Sequence, residues 1–280
     1  MIDKKFFQYL ESFTELYLER PFKINSNGMR FNHSFGIYSM LKILKPNLVI
    51  ESGVDKGHST WLIENSCDAK IVCIDPKPHN IIYKPNNADY FQEDFSGIDW
   101  TKYNIENSLC IFDDHQNAYS RLLEMKWWGF KAAIFEDNFP INEGDSYSLK
   151  QVIAGTGHPS IQLSEGFKIK SLRGRIVRRI EEKILLRNYW RQNILRNPNN
   201  VDKIGFKRNI EEYFEIPPVY VREKNHFNKE WKENYIIKNG PLLRKIEDIP
   251  NIDRILLDIP TEEIIKEFSY CYISYLKLNN

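Results

Sequence analysis

The chain has 280 residues, of which 42% are hydrophobic and 14% aromatic. That is enough apolar material for one large domain, or one domain with a sizeable appendage. A net charge of +1 names no partner through bulk electrostatics. No apolar run reaches the roughly 20 residues that span a bilayer, so no transmembrane segment is expected. The N-terminus leads into an aromatic, Glu-containing amphipathic stretch rather than the unbroken apolar region of a signal peptide. The cysteines Cys67, Cys73, Cys110 and Cys271 have no metal-ligand spacing. Cys73 and Cys110 fall inside apolar runs, so buried free thiols and a cytoplasmic location are expected.

Residues 1–46 read as an N-terminal helical cap. Phe6, Phe7, Leu10, Phe13, Tyr17 and Leu18 form a helical stripe. Pro21 and the run Asn25 to Gly28 mark a loop, and Phe35 to Leu44 resumes as a helix. Residues 47–157 alternate strand and helix, with strands at 48–51, 71–75, 89–92, 108–113 and 131–136 and helices at 58–66 and 117–128. The wholly apolar runs Leu109–Phe112 and Ala132–Phe135 predict parallel strands covered on both faces. The fold class expected is α/β, a Rossmann-like, doubly wound, mostly parallel sheet with N-terminal helices and a helical C-terminal insertion.

Residues 158–280 differ in character. Lys168 to Arg196 is a basic helical stretch with Ile176, Ile180 and Ile184 on one face. It reads as a solvated amphipathic helix or as a lid over an acceptor site. It lacks the interleaved aromatics of a single-strand nucleic-acid platform, so nucleic acid is not the expected partner. Tyr270 to Leu278 is a strand candidate that returns to complete the sheet.

Chemistry concentrates at strand ends. The first strand breaks at Gly53 and restarts as a helix after Gly57, with Glu51 at the strand end and Ser59 in the helix start. Glycines at these two places permit close backbone approach to a ligand. The second strand ends in Asp75, placed to hold a ribose diol. Two strands in tandem, each ending in a polar group, form the front half of a nucleotide-binding sheet. The fourth strand ends in Asp113, Asp114 and His115 and the fifth in Glu136, Asp137 and Asn138. In an open parallel sheet, ligands bind beyond the carboxyl ends. Asp114, Asp137 and Asn138 offer hard oxygen donors suited to Mg²⁺ or Mn²⁺.

The ordered set E-x-G-x-x-x-G-x-S, an acid after the second strand, F-x-D-H and D-N, over roughly residues 47–140, resembles the metal-dependent class I S-adenosylmethionine O-methyltransferases. The nearest groups are the catechol O-methyltransferase type and the cephalosporin hydroxylase and macrocin O-methyltransferase type. The resemblance implies that Glu51, Gly53, Gly57 and Ser59 shape the methionine side of a cofactor pocket. Asp75 would bind the ribose and Asp94 the adenine side, and Asp114, Asp137 and Asn138 the metal. The lysine that serves the catechol type as base falls at Asn117, which cannot do that work. His115 and Asp113 are the remaining catalytic candidates.

The reaction implied is methyl transfer from S-adenosylmethionine to a hydroxyl of a small-molecule or glycan acceptor. A sugar or polyol is the first expectation and a catechol the second, and a homo-oligomer is compatible with the sequence. Two other readings stay open. One is a different sugar-modifying enzyme on the same fold. The other is a non-catalytic S-adenosylmethionine-binding module that docks on RNA or membrane through its basic helix.

Overall fold

The computed structural model describes residues 2–25, 28–140, 144, 146–157, 200–221, 240–270 and 272–279. The basic stretch 168–196, with Ile176, Ile180 and Ile184, lies outside these residues, as does Cys271.

Seven strands among the described residues form one sheet. They are β1 (Leu48–Ser52), β2 (Lys70–Ile74), β3 (Ala88–Phe91), β4 (Ser108–Phe112), β5 (Ala132–Phe135), β6 (Ile210–Glu215) and β7 (Ser274–Leu278). Their order across the sheet is β3-β2-β1-β4-β5-β7-β6. The first five pair in parallel. β7 runs antiparallel to both of its neighbours, so it wedges between β5 and β6. β1 and β4 are buried at every position, as strands covered by helices on both faces must be. The chain winds outward from β1 to β3 and then returns to β4 beside β1. The β1–β4 boundary is therefore the switch point where an open α/β sheet leaves a crevice.

The helices among the described residues are α1 (Ile2–Phe7), α2 (Leu10–Leu18), α3 (Phe31–Leu44), α4 (His58–Glu64), α5 (Ala118–Trp128), α6 (Leu149–Ala154), α7 (Asn200–Asn209), α8 (Ile252–Leu257) and α9 (Thr261–Glu267). α3 starts four residues earlier than its apolar pattern predicts, because Asn32, His33 and Ser34 are themselves buried. Asn117 caps α5, its side chain accepting from the N–H groups of Tyr119 and Ser120. Phe7, part of the expected N-terminal stripe, is exposed.

Strand alternation divides the core into two layers. Val49, Ile71, Ile111 and Ile134 face the layer built with α2, α3 and α4. There Phe13 packs edge-on against Phe31 and Phe35 at 5.2 and 5.4 Å. Ile50, Val72, Phe112 and Phe135 face the other layer, with α5, Phe95, Trp100 and Phe130. Phe112 and Phe135 stack at 5.0 Å. Residues near both ends of the chain share the first layer. The Tyr17 hydroxyl donates to Glu267 at 2.5 Å, and Arg30 pairs with Glu263 at 3.0 Å.

The returning strand expected between Tyr270 and Leu278 is present as β7, its burial nearly continuous because neighbours cover both faces. β6 has no counterpart in the sequence reading. It follows α7 with no intervening turn and carries a bulge between Ile210 and Glu212, so its alternation is broken. It forms the sheet edge, within the stretch read as a lid.

Candidate functional site

The alternation that splits the core also sorts the polar residues at the strand ends. Continuing each strand by one residue keeps the period of two. Glu51, Asp75, Asp113 and Glu136 then fall toward the α3–α4 layer, and Ser52 and Asp114 toward the α5 layer.

On the first side, Glu51 is buried and accepts a 2.6 Å hydrogen bond from the Thr60 hydroxyl in the first turn of α4. Burial pushes its carboxyl up to about 7, against the hydrogen bonds from Ser59, Thr60 and Cys73 that favour the anion. Gly53 leaves β1 at φ +93, and a Cβ there would lie 2.2 Å from the Asp113 carbonyl oxygen. Gly57 has φ +94, and a Cβ there would stand 2.4 Å from the Tyr83 carbonyl oxygen. Only glycine fits either place. Asp75 organises the loop between them: one oxygen accepts from the N–H groups of Val54 and Asp55, both at 3.1 Å, and the other from Lys77 N–H at 2.7 Å.

These turns enclose a cleft of about 520 Å³ over the ends of β1, β2 and β3, within the range of small-molecule sites. Gly53, Ser59, Asp75 and Asp94 line it, as do Asp113, Asp114 and His115. Glu51 and Gly57 are not among its walls; they shape the loop from behind. Met29, Asn25 and His58 close one end.

On the α5 side stands Arg121, buried in the first turn of α5. It forms a fork on Asp94 at 2.9 and 2.5 Å and bonds Asp114 at 2.9 Å and Glu124 at 2.8 Å. Arg121, aided by the Ser96 hydroxyl and N–H, holds the Asp94 carboxyl well below the usual carboxylate range. Asp114 also accepts from Ser52 Oγ at 2.7 Å and from Gln116 N–H at 3.2 Å. Asn138 is similarly engaged. Its amide nitrogen donates to the Tyr213 hydroxyl at 2.8 Å, and its oxygen accepts from Lys150 N–H at 2.8 Å.

A second, much smaller cavity of about 20 Å³, room for about one water, adjoins the cleft over β4 and β5. Asp113, His115 and Asp137 meet here, each offering a ligand atom within 4.8 Å of the others. His115 Nδ1 lies 3.2 Å from Asp137 Oδ2. Both residues are left-handed, at φ +53 and +50, a conformation uncommon outside glycine and found where strain serves a site. Burial, then the neighbouring carboxylates of Glu136, Asp137, Asp114 and Glu51, push Asp113 well up. Glu136 lines the same cavity. Its Oε2 is 2.8 Å from His33 Nδ1, and its Oε1 is buried with no hydrogen-bond partner.

Of the residues read from sequence as metal ligands, Asp137 thus lies in the cluster, whereas Asp114 and Asn138 are held by Arg121, Ser52, Tyr213 and Lys150. Three residues at the site were not singled out from sequence: His33, Arg121 and Glu136. Strand parity could have found Glu136, since it continues the alternation of β5 beside Asp113. His33 carries no local signal, because Glu136 is 103 residues away; Arg121 has near partners in Asp114 and Glu124, but its fork on Asp94 reaches 27 residues back.

No protein-family model matches the chain, and no curated protein matches it. Among solved structures it is similar to an apo structure of CmcI, at 21% identity over 42% of this chain and 57% of that one, with a TM-score of 0.30. It is also similar to a methyltransferase from Geobacter sulfurreducens, at 18% identity over 45% of this chain and 68% of that one, with a TM-score of 0.34. A third is the plantazolicin methyltransferase BpumL in complex with SAH, at 11% identity over 100% of this chain and 96% of that one, with a TM-score of 0.40. The chain spans less than two thirds of the CmcI chain. Likenesses this remote carry no functional argument, and the α/β fold rests on the strand order and register of the sheet itself.

Proposed function

We propose that this protein is an S-adenosylmethionine-dependent methyltransferase that acts on a hydroxyl group with the help of a divalent cation. One observation carries the reading: the cleft over β1–β3 and the acidic cavity over β4–β5 share a wall made of Asp113, Asp114 and His115. A ligand in the first therefore borders an oxygen held in the second.

In this reading Asp75 accepts from the ribose hydroxyls, which add to the backbone N–H groups it already holds. Gly53 and Ser59 let the chain pass close to the amino-acid end. Asp94, fixed by Arg121, marks the adenine side. These residues would hold S-adenosylmethionine, which would supply an electrophilic methyl on a sulfonium to the acceptor oxygen and leave as the neutral thioether. Positioning supplies a large share of such a rate.

The cation set that fits the geometry is Asp113, His115 and Asp137, whose ligand atoms lie within 4.8 Å of one another. Two carboxylates and one imidazole suit Mn²⁺ as well as Mg²⁺. A bound cation would lower the pKa of an acceptor hydroxyl. Without a cation, Asp113 and His115 are the nearest groups to receive that hydroxyl's proton. A polyol or sugar with vicinal hydroxyls is the acceptor class proposed, because two adjacent oxygens chelate one ion.

Calorimetric titration with S-adenosylhomocysteine tests the reading. Saturable one-to-one binding, weakened when cleft residues are changed, is the expected result. No heat of binding at any accessible concentration would overturn it.

A further inference from the structure

We propose that Tyr213, on the edge strand β6, is a positioning residue for the cation cluster: acting through Asn138, it holds the turn after β5 in the form that puts Asp137 beside Asp113 and His115. This inference rests on the cation reading above and extends it to a residue 75 positions away from Asn138. Asp137 leaves β5 left-handed, at φ +50, and its carbonyl accepts from Phe139 N–H at 2.7 Å. That bond closes a three-residue turn with Asn138 at its centre. In this form Asp137 Oδ2 stands 3.2 Å from His115 Nδ1, within the group whose ligand atoms lie inside 4.8 Å of one another. A left-handed residue other than glycine is strained and persists only where its surroundings hold it.

The Asn138 side chain supplies that hold. It is buried, and both ends of its amide are committed. Lys150 N–H, in the first turn of α6, can only donate, so the atom that faces it at 2.8 Å is Oδ1. Nδ2 therefore faces Tyr213, whose hydroxyl accepts from it at 2.8 Å. Past the turn, the Phe139 carbonyl accepts from Ser148 Oγ and from Gln151 Nε2. The turn is thus clamped by α6 and by β6 together. The Tyr213 ring is itself fixed: it stands at 81° to Phe206 with centroids 5.6 Å apart, on a strand paired along its length with β7. Burial, then the charge of Glu215, pushes the Tyr213 hydroxyl up, so it stays a neutral phenol. Without that hydroxyl, Nδ2 would be left buried and unpaired, and the turn would relax away from its strained form. Asn138 then serves the ion through Asp137 and not as a donor of its own. Outer partners that orient a ligand in this way govern metal affinity.

The test is Mn²⁺ affinity, read from the loss of the free-ion electron paramagnetic resonance signal, with S-adenosylhomocysteine affinity measured beside it. Tyr213→Phe keeps the ring, removes only the hydroxyl, and should weaken Mn²⁺ about tenfold. Asn138→Ala removes both contacts and should weaken it by about 10–100-fold. Adding Tyr213→Phe to Asn138→Ala should change affinity by no more than about twofold, because the hydroxyl then has nothing to hold. S-adenosylhomocysteine should bind all three variants as it binds the wild type, since neither residue lines the cleft. Wild-type Mn²⁺ affinity in Tyr213→Phe would overturn the proposal; with Asn138→Ala still weak, it would make Asn138 a donor in its own right. A full tenfold loss on adding Tyr213→Phe to Asn138→Ala would also overturn it, by showing that Tyr213 acts by another route. A parallel fall in S-adenosylhomocysteine affinity would do the same, by reducing the effect to a general loosening of the fold. If the alanine variant does not fold, the near-isosteric Tyr213→Phe decides alone. No Mn²⁺ binding by the wild type, or full binding by Asp137→Ala, would instead remove the cation reading itself, and this one with it.

Discussion

At the scale of the residue, the two acids that end the first two strands do different work. Asp75 bonds three backbone N–H groups of the loops beside it and lines the cleft. Asp75→Ala should therefore weaken S-adenosylhomocysteine by roughly 1.5–3 kcal/mol, the range for hydrogen bonds to a charged group. Calorimetry showing wild-type affinity would remove Asp75 from the site. Glu51 is buried behind the loop, and its carboxyl is pushed from 4.5 to about 7. Below pH 4.5 it is protonated in both the folded and unfolded chain and costs nothing. Between 4.5 and 7 the unfolded chain loses the proton while the folded chain keeps it, so stability falls as pH rises. Above 7 the full cost is present, roughly 3 kcal/mol for a shift of that size. Glu51→Gln keeps an acceptor for Thr60 and removes the charge. It should match the wild type in thermal midpoint near pH 4 and exceed it at pH 8. Parallel pH curves for the two proteins would show that Glu51 is not held protonated.

At the scale of the element, the site is assembled by strand ends and one helix. Arg121 joins the exit of β3, through Asp94, to the exit of β4, through Asp114, and to its own helix through Glu124. Removing a buried partner from such a set leaves carboxylates unmatched, at about 3–5 kcal/mol for a fully buried pair. Asp94 is half exposed, so about 2 kcal/mol is the better expectation for Arg121→Met. Arg121→Lys should recover little of it, because one ammonium cannot make the two-pronged contact with Asp94 and also reach Asp114. Denaturant midpoints for the three proteins check this, and a lysine variant as stable as the wild type would show that the charge alone suffices.

The same scale shows what was legible in the sequence. β1, β2, β4 and β5 are short, largely apolar runs bounded by polar turns, and the expected bounds of all of β1 to β5 fall within about one residue of the strands. β6 was not expected, because Ile210–Glu215 carries charge on a sheet edge and its bulge breaks the alternation. The strand-end clusters are visible in the sequence, and the face each member takes follows only from strand parity. Asp113 and Asp114 differ by one residue and so point to opposite faces. One stands with Glu136 under α3, the other is taken by Arg121 under α5. A partner that arrives from a distant helix, as His33 does for Glu136, leaves no mark in local sequence.

At the scale of the whole molecule, a doubly wound sheet with its reversal between β1 and β4 places two cavities side by side on one edge. The larger lies over β1, β2 and β3 and the smaller over β4 and β5, and Asp113, Asp114 and His115 after β4 line both. A change at a residue outside that shared wall should leave the other cavity nearly intact. Asp137 lines only the smaller cavity, and its left-handed backbone belongs to the β5 exit rather than to the glycine loop. Asp137→Ala should therefore abolish methyl transfer while S-adenosylhomocysteine affinity stays within about threefold, less than the roughly 1 kcal/mol typical of a lost hydrogen bond. EDTA should have the same effect on the wild type, with activity restored by Mn²⁺ or Mg²⁺ but not restored in the variant. Full turnover in EDTA would show that Asp113 and His115 act on the acceptor's proton directly. A variant that loses cofactor affinity and activity together would mean that the two cavities form one inseparable site, against the division of labour that the strand order sets up.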